Sequence, residues 1–224
     1  METRCRCLIL DHDDTVVDST AEVHYPCFVQ YMNDRRGGTD VTLREYLEKN
    51  FDPGICAFFR EELGFSEEEM RREQAYWNDF VQDRVPRAYD GIRELLEKQR
   101  AAGGYVTVVS HSLRENILRD WRQNGLGEPD VTYGWEVPRE RRKPRPDCVF
   151  EILGTLGLRP EEALVIDDLK PGYEMARAAG VPFAAAGWAY DIPGIEDFMR
   201  RHSDRYCRTV AELDAYLFGG APRG

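Results

Sequence analysis

The sequence has no excess of positive charge, no long apolar run and no regular cysteine spacing, and each lack removes a class of protein. Its 41 Asp and Glu outnumber 30 Lys and Arg, for a formal net charge of -11. A surface of that sign repels nucleic-acid backbones and anionic membranes, so neither is expected as a partner. No stretch approaches the roughly 20 consecutive apolar residues that span a bilayer. The opening METRCRCLIL is too short an apolar run for a secretion signal, and a cytoplasmic chain is expected. The six cysteines, at 5, 7, 27, 56, 148 and 207, are scattered, and reduced thiols are expected. Cys5 and Cys7 form a CxC that reads either as half a metal site or as ordinary strand packing; with no Cys or His pair nearby, packing is the simpler reading. Repeats and low-complexity tracts are also missing. The 224 residues suffice for one domain, or for a core that carries an insertion.

What is present is an alternation of short apolar runs and helical patterns. Cys7 to Leu10, Tyr105 to Val109, Val131 to Trp135, Ala163 to Ile166 and Pro182 to Ala186 are near-continuously apolar, as parallel strands buried on both faces should be. Between them, Asp90 is placed to cap a helix with Ile92, Leu95 and Leu96 on one face, ended by Gly103-Gly104. Leu113, Ile117, Leu118 and Trp121 form the stripe of another, and Pro171 suits the first turn of a helix that runs to Gly180. This rhythm predicts a doubly wound α/β sheet. From about Thr20 to Arg87 it breaks: no strand pattern occurs, and the capping boxes Thr42-x-x-Glu45 and Ser66-x-x-Glu69 open helices, the second carrying Met70, Trp77, Phe80 and Val81 as a core stripe. Residues 1–19 and 88–224 are therefore expected to form the α/β core, and residues 20–87 a helical insertion after the first strand. The closing GGAPRG is expected to fray.

Near the start stands CLILDHDDTVVDS, an apolar run that ends in Asp11, Asp13 and Asp14, with Asp18 close behind. Carboxylates this close repel one another, and their pKa values rise unless something positive sits among them, so a bound cation is the simplest reading. In an open α/β sheet, ligands bind outside the carboxyl ends of the strands. The polar residues there are Asp11 and Asp13 after the first strand, Ser110 after the second, and Asp167 and Asp168 after the fourth; Lys143 stands in RRKPRPD ahead of a helix. Together they offer carboxylates for a divalent cation, and a hydroxyl and an ammonium for a phosphate.

LILDHDDTVVDS, VTVVSHS, KPRP and LVIDDLKPGYEMARAAG, in that order, resemble the four motifs of the haloacid dehalogenase-like (HAD) hydrolase superfamily, in its branch of phosphoglycolate phosphatases and beta-phosphoglucomutases. The helical insertion matches the position of that superfamily's type 1 cap, and the resemblance covers nearly the whole chain. It implies a Rossmann-like core and a hydrolase of small phosphorylated metabolites, monomeric or homodimeric. It also implies roles. Asp11 would be the nucleophile that forms an aspartyl-phosphate, and Asp13 the acid and then the base. Mg²⁺ would take Asp11, the Asp13 carbonyl and Asp168, with Asp167 a direct or water-mediated ligand. Ser110 and Lys143 would hold the phosphoryl oxygens, and His111 would orient substrate or seal the pocket. The second aspartate favours ester hydrolysis over dehalogenation.

Other readings stay open for single residues and for the whole. Asp11 and Asp13 have the alternative of a turn or a helix cap, Ser110 of a strand-end hydroxyl, Lys143 of one charge in a solvated run, Asp167 of an acceptor of backbone hydrogen bonds, and His111 of a surface histidine; for Asp11, Asp13, Ser110 and Lys143 the site role is the stronger reading in this context. Asp14 stands where the family has glycine, and Ser110-His111 where it commonly has Thr-Asn. The family's phosphomutases carry a histidine whose gapless position here is Val23, one short of His24. A phosphomutase remains an alternative, as does a protein that binds a phosphometabolite or a partner on a HAD-like fold without turnover. In the insertion, His24, Tyr25, Phe58 and Arg60 are candidates for recognising the rest of the substrate, with hinges near Ser19 and Arg87.

Overall fold

All the expected strands form, and a sixth strand joins the sheet that no apolar run had announced. The computed structural model describes residues 2–219. Their contacts divide the chain into two compact units, one made of the residues up to Val17 and from Arg87 onward, the other Asp18–Pro86. The first unit holds β1 (Cys7–Leu10), β2 (Tyr105–Val109), β3 (Val131–Tyr133), β4 (Ala163–Asp167), β5 (Phe183–Ala186) and β6 (Arg205–Cys207). They form one six-stranded parallel sheet in the order β3-β2-β1-β4-β5-β6. β3 stops at Tyr133, short of the expected Trp135, whose amide donates instead to the Ser112 carbonyl at 2.8 Å, beyond the end of β2. β6 escaped notice because Arg205-Tyr206-Cys207 is a three-residue edge strand with an exposed arginine. Of the expected frayed tail, residues 220–224 lie outside the described part.

In chain order the helices are α1 (Tyr25–Arg36), α2 (Leu43–Phe51), α3 (Ile55–Ala57) and α4 (Glu67–Val81) in the Asp18–Pro86 unit, then α5 (Ile92–Ala101), α6 (Arg114–Gln123), α7 (Asp147–Leu156), α8 (Lys170–Ala179), α9 (Pro193–His202) and α10 (Val210–Phe218) around the sheet. Leu8 and Leu10 of β1 pack with Ile92, Leu95 and Leu96 of α5 and with Ile117 and Trp121 of α6. Burying each such side chain stabilises the fold by about 1.5–3 kcal/mol. Asp90 does not cap α5. The N-cap is Gly91, whose φ of 87° a side chain adopts only under strain.

The sheet leaves and regains the chain at one point. Val17 pairs antiparallel with Ala88, and the Tyr89 amide donates to the Val16 carbonyl at 3.1 Å. The two ends from which the other unit departs are thereby tied together. Strand order reverses between β1 and β4, the kind of switch at which α/β sheets bind ligands.

Within the helical unit both capping boxes form: the Thr42 hydroxyl accepts from the Glu45 amide at 3.2 Å, and the Ser66 hydroxyl from the Glu69 amide at 3.2 Å. Its core is aromatic, built on Phe28, Tyr31, Tyr46, Phe58, Phe59 and Phe65. The expected stripe on α4 is a core stripe only at Val81. Met70 packs on the rim of the aromatic cluster, Phe80 lies under the Arg84 guanidinium at 3.6 Å, and the Trp77 indole donates to His24 Nδ1 at 3.0 Å. Beside that pair, burial pushes the Glu73 carboxyl up to about 7, with His24 opposing the shift.

An acid whose folded pKa is raised binds its proton more tightly folded than unfolded, so its stabilising effect is complete below the ordinary value of about 4.5 and is lost as pH rises through about 7. Glu73→Gln is therefore expected to raise stability at pH 8 by about 1 kcal/mol and to leave it little changed at pH 4.5, as read by urea denaturation at the two pH values.

Candidate active site

The register of the sheet brings the acidic loop together with its partners. Leu10 stands level with Val108 of β2 and with Ile166 of β4, so Asp11 emerges beside the ends of both neighbouring strands. Its amide donates to the Ile166 carbonyl at 2.9 Å, which fixes where the side chain starts. Three carboxylates, from Asp11, Asp167 and Asp168, each offer an oxygen within 4.8 Å of the others, and all three residues are buried. Lys143 reaches in from the segment before α7, with its side chain only 4% exposed. Its Nζ lies 2.8 Å from Asp167 Oδ2, to which it donates, and 2.9 Å from Asp11 Oδ1. The second contact has the distance of an ion pair but not the alignment of a hydrogen bond, and Asp11 Oδ1 is buried without a hydrogen-bond partner.

These contacts set the electrostatics. Burial works against the Lys143 charge, but Asp11 and Asp167 together outweigh it and hold the ammonium protonated, its pKa raised. Burial pushes the Asp167 carboxyl up, with Lys143 opposing and Asp11 adding to the push. Asp168 is pushed up well above the carboxylate range by burial and then by the charges of Asp167, Asp14 and Asp11. One ammonium among that many carboxylates leaves negative charge unbalanced. A divalent cation accepts hard oxygen ligands of this kind, so the three carboxylates fit one.

Around these groups are hydroxyls that pattern reading missed. The Thr15 hydroxyl donates to Asp168 Oδ1 at 3.2 Å, and the Tyr190 hydroxyl to Asp168 Oδ2 at 2.8 Å. Asp13 Oδ2 accepts from the Ser112 hydroxyl at 2.6 Å and from Ser110 at 3.3 Å. Ser112 is two residues past Ser110 in VTVVSHS, and Tyr190 follows β5 in GWAYD, so inspection of the residues after every strand would have found both. His12, between Asp11 and Asp13, points the other way and is buried. The Trp121 indole donates to its Nδ1 at 3.3 Å, which leaves Nε2–H to donate to Asp120 at 3.1 Å.

Each expected residue now has a place. Asp11, Lys143, Asp167 and Asp168 converge; Asp13 and Ser110 meet each other at 3.3 Å. Lys143 is not part of a solvated run: Arg141 pairs with Asp147 at 3.5 Å and with Glu151, and Arg142 covers the Trp135 ring at 3.8 Å, while Lys143 turns inward. Asp167 accepts from the Leu169 amide at 2.8 Å as well as from Lys143. His111 is exposed, yet its Nε2–H donates to the Lys143 carbonyl at 3.2 Å; the protein around the ring and the nearby ammonium lower its pKa. Asp14 is buried, not turned to solvent, and holds the left-handed turn at φ 54°. Cys5 packs into the core cluster and Cys7 lies 3.8 Å from the Thr107 hydroxyl; burial pushes both thiols up. His24, Tyr25, Phe58 and Arg60 belong to the helical unit, where Tyr25 donates to the Val41 carbonyl at 2.9 Å, Phe58 is core, and Arg60 pairs with Glu67 at 2.7 Å. Val23 is buried there. Among the described residues no helix is long and apolar enough to cross a membrane.

Comparison with known proteins adds family to geometry. The family model described as haloacid dehalogenase-like hydrolase matches residues 8–186. A phosphoglycolate phosphatase of Aquifex aeolicus is 28% identical over 195 residues, covering 83% of this chain and 86% of the relative. Pyrophosphatase PpaX of Halalkalibacterium halodurans is 27% identical over 148 residues, 65% of this chain and 67% of the relative. The crystal structure of a HAD family hydrolase from Deinococcus radiodurans, with bound phosphate and sodium, superposes with a TM-score of 0.72 at 24% identity, covering 95% of each chain, and shows that the fold is shared.

Gly172 of α8 provides a test of the carboxylate cluster. A Cβ there would lie 2.1 Å from Asp167 Cγ and Oδ2, so Gly172→Ala must displace Asp167. Isothermal titration of the variant with Mg²⁺ is expected to show affinity at least about tenfold weaker than wild type.

Proposed function

This chain belongs to the haloacid dehalogenase-like hydrolases and is an enzyme of their phosphatase kind; we propose that it hydrolyses a small phosphate monoester through an aspartyl-phosphate on Asp11. The reading rests above all on one observation: Asp11 Oδ1 is buried, without a hydrogen-bond partner, 2.9 Å from the Lys143 ammonium. A carboxylate oxygen buried from water beside a fixed cation is placed as a nucleophile for an anionic phosphoryl group needs to be.

In the proposed sequence an Asp11 oxygen attacks phosphorus as the bond to the ester oxygen breaks. Asp13 gives its proton to that leaving oxygen, and an alcohol departs. Asp13 then takes a proton from the water that attacks the aspartyl-phosphate, releasing inorganic phosphate and restoring Asp11. Lys143 and Ser110 bind the phosphoryl oxygens, on which charge spreads as the transfer proceeds, and His111 holds the Lys143 backbone through its carbonyl. Mg²⁺ would be held by Asp11, Asp168 and the Asp13 carbonyl, with Asp167 bound directly or through water, and would supply positive charge at the transferring group. Thr15 and Tyr190 keep Asp168 oriented. The helical insertion is assigned the part of the family's cap, the element that selects the leaving group. Relatives named for phosphoglycolate and for pyrophosphate place both compounds first among substrates to try.

Phosphate release from 2-phosphoglycolate, pyrophosphate and a set of sugar phosphates tests the reading. Wild type with Mg²⁺ is expected to turn over at least one of them, and Asp11→Asn, or wild type with a chelator, to lose several orders of magnitude in kcat. Turnover that survives in Asp11→Asn at the wild-type rate would refute the covalent mechanism.

A further inference from the structure

Two hydroxyls share one oxygen of Asp13, and they are not equivalent. Ser112 Oγ donates to Asp13 Oδ2 at 2.6 Å, whereas Ser110 Oγ stands at 3.3 Å from the same oxygen. Ser110 Oγ in turn accepts from the Ser112 amide at 3.1 Å. A serine hydroxyl has a single proton to donate. When Ser110 turns that proton to a phosphoryl oxygen it releases Asp13, and Ser112 continues to hold the carboxyl. Ser112 is built to stay. It is 5% exposed, and its carbonyl accepts from the Trp135 amide at 2.8 Å. Its hydroxyl has no duty at the start of α6, where the Arg114 amide is satisfied by Glu136 at 3.0 Å.

We propose that Ser112 is a positioning residue for the leaving-group acid: it fixes Asp13 Oδ2 as the accepting oxygen, so that the proton is carried on Oδ1 and delivered from there to the departing ester oxygen. The inference rests on the phosphatase reading above. In the step concerned, the bond from Asp11 to phosphorus forms, the phosphorus–oxygen bond of the ester breaks, and the Asp13 proton moves to the oxygen that leaves.

Leaving groups differ in their need for that proton. An alkoxide leaves poorly without it, whereas 4-nitrophenolate departs as a stable anion. The quantity kcat/KM reports the first transfer alone, and the ratio of two values from one preparation does not depend on the fraction that is folded. For Ser112→Ala, kcat/KM on the best alkyl phosphate found is expected to fall about tenfold or more, and on 4-nitrophenyl phosphate to stay within about twofold of wild type. Ser112→Thr, which keeps the hydroxyl, is expected to hold the ratio near the wild-type value. Equal loss on both esters, or no loss on either, would overturn the positioning role while leaving the phosphatase reading intact. Wild type that cleaves neither ester would overturn that reading, and the inference with it.

Discussion

The buried ammonium of Lys143 is what allows carboxylates to gather at the ends of β1 and β4. It lies within 3 Å of both Asp11 and Asp167, out of water. An isolated charge in such a place would shift its pKa and be neutralised. Here the two carboxylates hold the ammonium charged, and removal of one partner of a buried pair strands the other, a loss of about 3–5 kcal/mol in measured cases. The arrangement is strained even so, since Asp168 has no cation of its own among the described side chains and is raised by burial and by its acidic neighbours. That surplus of negative charge makes the cluster a natural cation site and not simply a salt bridge.

The middle residue of the acidic loop shows how the same backbone serves two faces. Strand alternation sends Asp11 and Asp13 one way and His12 the other. His12 is then held by Trp121 and Asp120 of α6, in a tautomer set by the indole, and its carbonyl receives the amides of Val16 and Val17 at 2.9 and 3.1 Å. The turn that presents the carboxylates is thus anchored from beneath. Asp14 completes it in a left-handed conformation that aspartate tolerates better than most side chains.

Much of this was legible in advance because parallel strands buried on both faces carry a strong apolar signal. β1, β2 and β4 declared themselves through runs such as Leu8-Ile9-Leu10 and Val106-Thr107-Val108-Val109, and the rule that ligands bind at strand ends then pointed to Asp11, Ser110 and Asp167. β6 did not, because an edge strand of three residues with an exposed arginine has no apolar run to show. The start of α5 was misjudged by one residue, since a glycine in the left-handed region can replace a side-chain cap. Ser112, Thr15 and Tyr190 were missed for a different reason: a hydroxyl is common on any surface, and although Ser112 and Tyr190 stand after strands, it is the fold that shows these three ending on Asp13 and Asp168. The inward turn of Lys143 amid four arginines was likewise invisible until the partners of Arg141 and Arg142 were known.

The pairing of Val17 with Ala88 has a consequence for how this protein can change over evolutionary time. Because the two ends of the insertion are stitched side by side by the sheet unit itself, the core needs nothing from the insertion in order to close its own chain. The entropy of closing an intervening segment grows only with the logarithm of its length. Helices between those ends can accordingly be lengthened, trimmed or exchanged while the strands of the sheet keep their register. The junction behaves as a socket, and selection is free to refit the insertion without reopening the chemistry of the sheet unit.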